Sequence, residues 1–365
     1  MNGQRGVGDE NRQSNPASGE GSPQRYAARV SRDRHACGPL TAFTILAVAQ
    51  AGRLQYEAVL LAASLRRAAP GFAGRLVVAE PQPGPRWPGD PRLPDVTRDA
   101  LAALGAEVVP FENLHFGASY PHGNKIEALA ALPGGEPFLF LDTDTLILGD
   151  IGAVPFDFTR PAASMRREGT WPKPLPGWPG HAAVWGSLYR RFGLDFDGSL
   201  DMAHPPDDWR RYLYFNAGWF FGHDPAAFGA RFAGYATEIR DDPPPELAGQ
   251  KLDPWLDQVA LPLVIHSLGG GRPGPELTGL DGDATCHWRL LPLLYARESE
   301  RAVMMLEDIA RDPALAPAFE GWEALRRMVH GGDGARARAL FDRAALPPEE
   351  RDIRQRLRRE GLWLR

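Results

Sequence analysis

The sequence predicts an α/β protein whose central, mostly parallel sheet is flanked by helices. Between residues 41 and 141, short segments that read as strands alternate with segments in which apolar residues recur at helical spacing. Such alternation of strands and helices is typical of parallel sheets with helices on both faces. Glycine and proline contribute 40 and 35 of the 365 residues, which indicates many ordered loops between these elements.

The first half of the chain supplies the predicted elements in order. The segments predicted as strands are residues 41–49, 75–80, 106–111 and 137–141. The segments with helical spacing are residues 54–69, 98–104 and 125–132. Pro70 and Gly105 end the first two of these helices. Because ligands bind beyond the carboxyl ends of parallel strands, we expect the functional residues at those ends.

The second half of the chain is less regular. Residues 212–222 predict a further strand, and Asp224-Pro225 and Asp253-Pro254 each predict a helix start, with Asp as the N-cap and Pro at the first helical position. Residues 1–38 contain no Leu, Ile, Phe or Trp, so we expect a disordered tail there. The predicted organisation is this tail, an α/β domain over residues 39–300, and a helical C-terminal extension over residues 301–365.

Composition excludes several classes of protein. The net charge of −5 argues against non-specific binding of nucleic acid, which needs a basic surface. Cys37 and Cys286 can neither build a disulfide framework nor supply the spacing of a zinc site. The longest apolar run, residues 40–49, is too short for a membrane helix, and the N-terminus lacks the apolar core of a signal peptide. We therefore expect a cytoplasmic protein.

The most informative segment is FLFLDTDTLIL, residues 138–148. An apolar strand ends there in Asp142 and Asp144, which share one face because alternate residues of a strand point the same way. Two carboxylates at such a short distance repel each other unless a cation lies between them. Oxygen ligands suit Mg²⁺ or Mn²⁺, so the segment predicts a divalent metal site. The alternative is a turn with two solvated aspartates.

This segment resembles the D-x-D element of nucleotide-sugar glycosyltransferases of the GT-A fold. The chain is similar to the retaining branch that includes glycogenin-like and lipopolysaccharide galactosyltransferase-like enzymes, known as glycosyltransferase family eight. The resemblance covers about residues 40–295. Besides the D-x-D element, the residues that carry it are Lys125 in the preceding helix, Phe215-Asn216-Ala217-Gly218, the pair Asp257-Gln258, and His287.

The resemblance implies a GT-A-like, Rossmann-like sheet and a metal-dependent bacterial transferase that takes a sugar from a nucleotide donor, a UDP-sugar first of all, with retention of configuration. The metal, Mn²⁺ or Mg²⁺, would be held by Asp142, Asp144 and His287. The donor would also contact Gln50, Lys125, Thr143 and Gly218. The catalytic residues would be Asn216, Asp257 and Gln258. The acceptor, whether a glycan, a lipid-linked saccharide or a protein, stays open, as does the oligomeric state.

The basic C-terminus has two interpretations. Residues 351–365 contain six Arg together with Ile353, Leu357 and Trp363, a pattern that suits an amphipathic helix on anionic lipid. Such a helix would give peripheral contact with the inner face of the membrane. The preferred interpretation is a solvated helix packed on the domain.

Two other functions remain as alternatives. LFLDTDTLI also matches a phosphatase of the haloacid-dehalogenase type, in which Asp142 would be the nucleophile and Asp144 the general acid. That motif belongs on the first strand of its domain, whereas three predicted strands precede it here. A non-catalytic protein of the same fold that binds a nucleotide sugar is the second alternative. A dinucleotide-binding dehydrogenase is excluded because no G-x-G-x-x-G follows the first strand.

Overall fold

The computed structural model describes residues 42–166 and 169–364. Its strands are β1 (Thr44–Val48), β2 (Arg75–Pro81), β3 (Ala106–Phe111), β4 (Phe138–Leu141), β5 (Thr145–Ile147), β6 (Ala163–Ser164), β7 (Asn216–Gly222) and β8 (Thr285–His287). Six of them form the main sheet, in the order β3-β2-β1-β4-β7-β6, and β5 pairs with β8 in a separate small sheet. The predicted tail over residues 1–38, with Cys37, lies outside the described residues.

The main sheet is mostly parallel, as predicted. β1 pairs in parallel with β2 and β4, and β2 pairs in parallel with β3. β7 runs antiparallel to both β4 and β6. The predicted strand over residues 212–222 begins four residues later, at Asn216. Its first four residues, Tyr212 to Phe215, are buried among aromatic side chains without belonging to a described strand, so their apolar character reflects packing.

The helices are α1 (Arg53–Ala68), α2 (Asp95–Ala103), α3 (Asn124–Glu127), α4 (His181–Arg191), α5 (Pro225–Asp241), α6 (Leu256–Ser267), α7 (Leu291–Arg297), α8 (Glu300–Ala310), α9 (Glu323–Leu325), α10 (Asp333–Ala339) and α11 (Glu350–Arg359). The helix predicted over residues 125–132 is shorter, because after α3 the chain tightens into a 3₁₀ turn at Ala128–Ala131.

The two predicted helix starts have different outcomes. Asp224 caps α5 as predicted, and its carboxylate accepts the backbone N–H groups of Ala226 and Ala227. The start predicted at Asp253-Pro254 is wrong, because α6 begins at Leu256. The N–H of Trp255 donates to the carbonyl of Leu252, so Asp253 and Pro254 lie in a turn that precedes the helix.

Both faces of the sheet are covered. In β1, Ile45 packs into one apolar cluster and Leu46 into the other, and Leu139 and Phe140 of β4 divide in the same way. Burial on both faces explains why these strands read as continuous apolar runs. The cluster that contains Ile45 also includes Leu357 of α11, so the helices after residue 300 pack against the same core.

Across the described residues, the structure contains no helix with the length and apolar character needed to cross a membrane.

Candidate metal and donor site

The D-x-D segment is held between two sheets. The N–H of Asp142 donates to the carbonyl of Gly218 in β7 at 2.9 Å, and the carbonyl of Asp144 accepts the N–H of Trp288 at 2.9 Å. β5 continues directly from the segment and pairs antiparallel with β8, with Thr145 opposite His287. This register brings a histidine that is 143 residues away in sequence to the carboxyl end of β4, where the two aspartates lie.

Asp142, Asp144 and His287 form one cluster whose potential ligand atoms all lie within 4.8 Å of one another. Nε2 of His287 is 3.0 Å from Oδ1 of Asp144 and 3.9 Å from Oδ2 of Asp142. Gly218 lies directly against the imidazole ring, because a Cβ atom at this position would be only 2.3 Å from Nδ1 of His287. The residues implied for the metal by the resemblance are therefore brought together, and Gly218 makes room for one of them.

Lys125 lies beside this cluster. Its Nζ is 2.9 Å from Oδ1 of Asp142 and 3.5 Å from Oδ2 of Asp257, and it donates to the carbonyl of Ala217 at 3.2 Å. Burial disfavours the charged ammonium, but the carboxylates of Asp142 and Asp257 outweigh burial and raise the pKa of Lys125. A lysine held in its charged form at this point can neutralise negative charge that enters the site.

A fourth carboxylate, Glu57 of α1, lies beneath the D-x-D segment. Burial is the main cause that raises the pKa of Glu57 well above its ordinary value, and the negative charge of Asp144 adds to it. The Glu57 carboxylate accepts the hydroxyl of Thr143 at 3.1 Å and pairs with Arg53 at 2.5 Å. Burial acts against ionisation of Asp144 too, but His287 outweighs it and lowers the pKa of Asp144.

A cleft of about 370 Å³ opens on the cluster at the carboxyl ends of β1 and β4. We call it the carboxylate cleft; its lining includes Gln50, Arg53, Asn124, Lys125, Asp142, Thr143 and Asp144. The side chain of Gln50 is fixed by a 2.9 Å hydrogen bond from Nδ2 of Asn124. The first turn of α1 also borders this cleft, and the N-terminus of a helix favours negatively charged ligands.

A second cleft, of about 350 Å³, contains Asn216 and Gln258. Gln258 is oriented by the hydroxyl of Tyr214, which donates to its Oε1 at 2.8 Å. Asn216 uses its own Oδ1 to accept the N–H of Gly218 at 3.0 Å. Because the remainder of the lining is dominated by arginines, we call it the arginine cleft; its other members are Gly169, Trp255, Arg289, Glu350, Arg351, Arg354 and Arg358.

Asp257 is placed differently from its neighbour Gln258. Its side chain is 2% exposed, and besides Lys125 it contacts Tyr120, whose hydroxyl lies 2.8 Å from Oδ1 and accepts the N–H of Asp257 at 3.0 Å. Burial and the Asp257 charge together raise the pKa of Tyr120, so the phenol stays protonated and can donate to the carboxylate. Asp257 therefore lies between Tyr120 and Lys125 and contacts both.

Several residues of the site were not predicted from the sequence. Arg53 and Glu57 lie in the first two turns of α1, and an arginine directly after a strand–glycine turn is the signal that could have indicated an anion site. No sequence pattern around Tyr120 indicated that it belongs to the site. Arg289 follows His287 by two residues, and its φ of 66° is the only positive value among non-glycine residues of the described chain. Such backbone strain occurs at ligand sites more often than elsewhere.

Comparison with known families identifies the class of enzyme. The family model of the Rhodobacterales glycosyltransferase domain matches residues 45–269, more than half of the chain. The chain belongs to this glycosyltransferase family. The matched range includes the D-x-D segment, Lys125 and the pair Asp257-Gln258, whereas His287 and α11 lie beyond it. The predicted transferase activity and the mostly parallel α/β fold are confirmed, and the phosphatase and non-catalytic alternatives are not favoured.

Solved glycosyltransferase structures show weaker similarity. Galactosyltransferase LgtC in complex with donor and acceptor sugar analogues has 14% sequence identity, with 85% of this chain and 100% of that chain covered and a TM-score of 0.39. The bifunctional glycosyltransferase WbbM has 14% identity, coverages of 78% and 52%, and a TM-score of 0.41. GlyE of Streptococcus pneumoniae has 12% identity, coverages of 88% and 64%, and a TM-score of 0.38. No curated protein matches the chain.

Proposed function

We propose that this glycosyltransferase is a metal-dependent hexosyltransferase that uses a nucleoside diphosphate sugar, with a UDP-sugar as the first candidate, and retains the configuration of the transferred sugar. The observation that carries the proposal is the convergence of Asp142, Asp144 and His287 to within 4.8 Å, with both aspartates lining the carboxylate cleft. The acceptor is expected to be a glycan, a lipid-linked saccharide or a protein, and the cytoplasmic location stays a prediction.

The chemistry of the three side chains fits a divalent ion. Two carboxylates and one imidazole suit Mn²⁺ better than Mg²⁺, since Mg²⁺ prefers oxygen ligands and retains several waters. When bound, the ion would act as a Lewis acid on the diphosphate leaving group. The 3.0 Å approach of His287 to Asp144 shows that the two side chains already face each other.

Lys125 is the protein group best placed to assist the leaving group. Its ammonium lies against Asp142 and is held there by Asp257, which Tyr120 fixes in turn. A charge that is held in place costs little reorganisation when the phosphate develops negative charge. We therefore assign Lys125 to the diphosphate and Asp257 to the positioning of Lys125.

Asn216 and Gln258 are assigned to the donor sugar. They line the arginine cleft together, and Tyr214 occupies Oε1 of Gln258, so the amide N–H₂ is the group that Gln258 can present to a sugar hydroxyl. In the transfer, the bond between the anomeric carbon and the phosphate oxygen breaks while the bond to the acceptor oxygen forms. The departing phosphate takes the acceptor's proton on the same face, so no protein base is required.

Calorimetric titration of UDP with and without Mn²⁺ tests the proposal. We compare the wild-type protein with Asp144→Asn, which removes one ligand charge while preserving shape, and with Asp99→Asn, which removes the same charge from an exposed position of α2. The expected result is Mn²⁺-dependent binding that Asp144→Asn abolishes and Asp99→Asn leaves intact. UDP binding that is the same with and without Mn²⁺, and the same in wild type and Asp144→Asn, would refute the metal site. If the expected result is obtained, UDP-sugars are screened for hydrolysis.

A further inference from the structure

The arginine cleft carries more positive charge than the transfer of a neutral sugar needs. Four guanidinium groups contribute to it, one from Arg289 and three from α11, whereas Glu350 is the only carboxylate among the described residues that line it. Glu350 is itself occupied, because it pairs with Arg297 at 2.6 Å and also contacts Arg354. Like charges that are gathered in one cleft repel each other, so this arrangement favours an anion between them.

The spacing of the arginines places them on one side of α11. Arg351, Arg354 and Arg358 follow one another at intervals of three and four residues and therefore lie along one helix face. Ile353 and Leu357 are buried on the adjacent face and fix the helix to the core. The arginine face is thus held in position by apolar packing and does not depend on a ligand for its placement.

An aromatic side chain also holds two of the arginines of α11 in place. The indole of Trp363 lies under the guanidinium groups of Arg354 and Arg358, at 5.5 and 5.1 Å from the ring centroid. Nε of Arg354 is shielded from solvent and, within residues 42–166 and 169–364, has no hydrogen-bond partner. The two ring contacts hold Arg354 and Arg358 in place beside the cleft.

We propose that the arginine cleft binds the anionic group, a phosphate or a carboxylate, of an acidic acceptor saccharide. This inference rests on the proposed function, because the metal cluster and Lys125 already counter the donor's diphosphate and leave the arginines to another anion. Guanidinium groups bind both phosphate and carboxylate in a bidentate manner. Asn216 and Gln258 in the same cleft would then bring the donor sugar next to the bound acceptor. Trp255 lines the cleft too, with Nζ of Lys173 5.2 Å from its ring centroid.

The test uses three small probes that differ in charge: glucose 6-phosphate, glucuronate and neutral glucose. Their affinities are measured by ligand-observed NMR for the full chain with UDP and Mn²⁺ present. One variant is Arg351→Gln/Arg358→Gln, which removes two charges and one arginine–aromatic contact from the cleft. The matched control is Arg356→Gln/Arg359→Gln on the same helix, which also removes two charges and one arginine–aromatic contact, that of Arg356 with Phe341.

We expect at least one anionic probe to bind about tenfold more tightly than glucose, and the cleft variant to lose about tenfold while the control stays within about twofold. The preferred anion distinguishes a phosphorylated acceptor from a uronic acid. Equal binding of all three probes, or equal losses in both variants, would overturn the inference. UDP titration on the same samples separates the two proposals: missing Mn²⁺-dependent UDP binding refutes the UDP-sugar assignment of the proposed function, whereas intact UDP binding without anion preference refutes only the acceptor assignment.

Discussion

Replacing Gly218 by alanine should disturb the proposed metal site, because the added Cβ atom would collide with His287. The added Cβ would lie 2.3 Å from Nδ1 and 2.6 Å from Cε1 of His287, whereas ordinary contacts begin near 3.4 Å. The imidazole must therefore retreat by about 1 Å, and it is buried, so the movement changes its position relative to Asp144. Mutating a group that orients a metal ligand typically costs about 10- to 100-fold in metal affinity, and we expect Gly218→Ala to lose about that much Mn²⁺ affinity.

The assay is titration of Mn²⁺ in the presence of UDP, with the unfolding free energy measured on the same preparations. Overpacking next to His287 should also lower the unfolding free energy by about 1 to 3 kcal/mol. Gly222→Ala in the same strand is the matched control, because its Cβ would meet Phe228 and Phe138 at 3.1 and 3.2 Å, far from the metal ligands. Unchanged Mn²⁺ affinity in a folded Gly218→Ala protein would show that His287 is not a ligand.

Two further predictions concern charges that the fold holds in place. Glu298 is buried, which by itself disfavours its ionised form, but ion pairs with Arg166 and Arg297 outweigh burial and lower its pKa below the ordinary 4.5. The contribution of Glu298 to the free energy of unfolding is therefore complete above about pH 4.5. It is lost as the pH falls through the lowered pKa. Glu298→Gln should therefore cost about 3 kcal/mol in urea unfolding at pH 7, and the difference from wild type should shrink below pH 4.5; a pH-independent difference would contradict this origin. Tyr120→Phe should cost about 1 to 3 kcal/mol, since it removes the hydroxyl that both donates to and accepts from Asp257, and should slow sugar transfer more than it weakens UDP–Mn²⁺ binding; a change confined to stability would show that Asp257 does not act through Lys125.

Local patterns were enough to predict the parallel part of the fold. β1, β2 and β4 are buried on both faces, which explains their largely apolar sequences. The edge strand β3 is only partly buried, but its bounds agree with prediction. The same rule failed at residues 212–215, where burial among aromatic rings imitates a strand. It also failed at Asp253-Pro254, because the cap signature is local while the turn through Leu252 and Trp255 decides where α6 begins.

Only the site residues that come directly after a single strand could be predicted from local sequence. Asp142 and Asp144 could be paired from their spacing alone, because both lie at the end of β4. His287 required a family resemblance, since its place depends on the pairing of β5 with β8 and no local pattern encodes that register. The arginine face of α11 was visible as a basic amphipathic stretch, but only the tertiary packing of Leu357 shows that it borders Asn216 and Gln258.

The pairing of β5 with β8 has a consequence for how the enzyme is made. Chains fold from the N-terminus while they are being synthesised. The strand that presents Asp142 and Asp144 leaves the ribosome well before Thr285–His287, which must be added as the partner of β5. Until then the two aspartates lack the imidazole that completes the proposed site. A nascent chain in the cell therefore carries the D-x-D segment for several seconds before the proposed metal site can be completed by the strand that ends at His287.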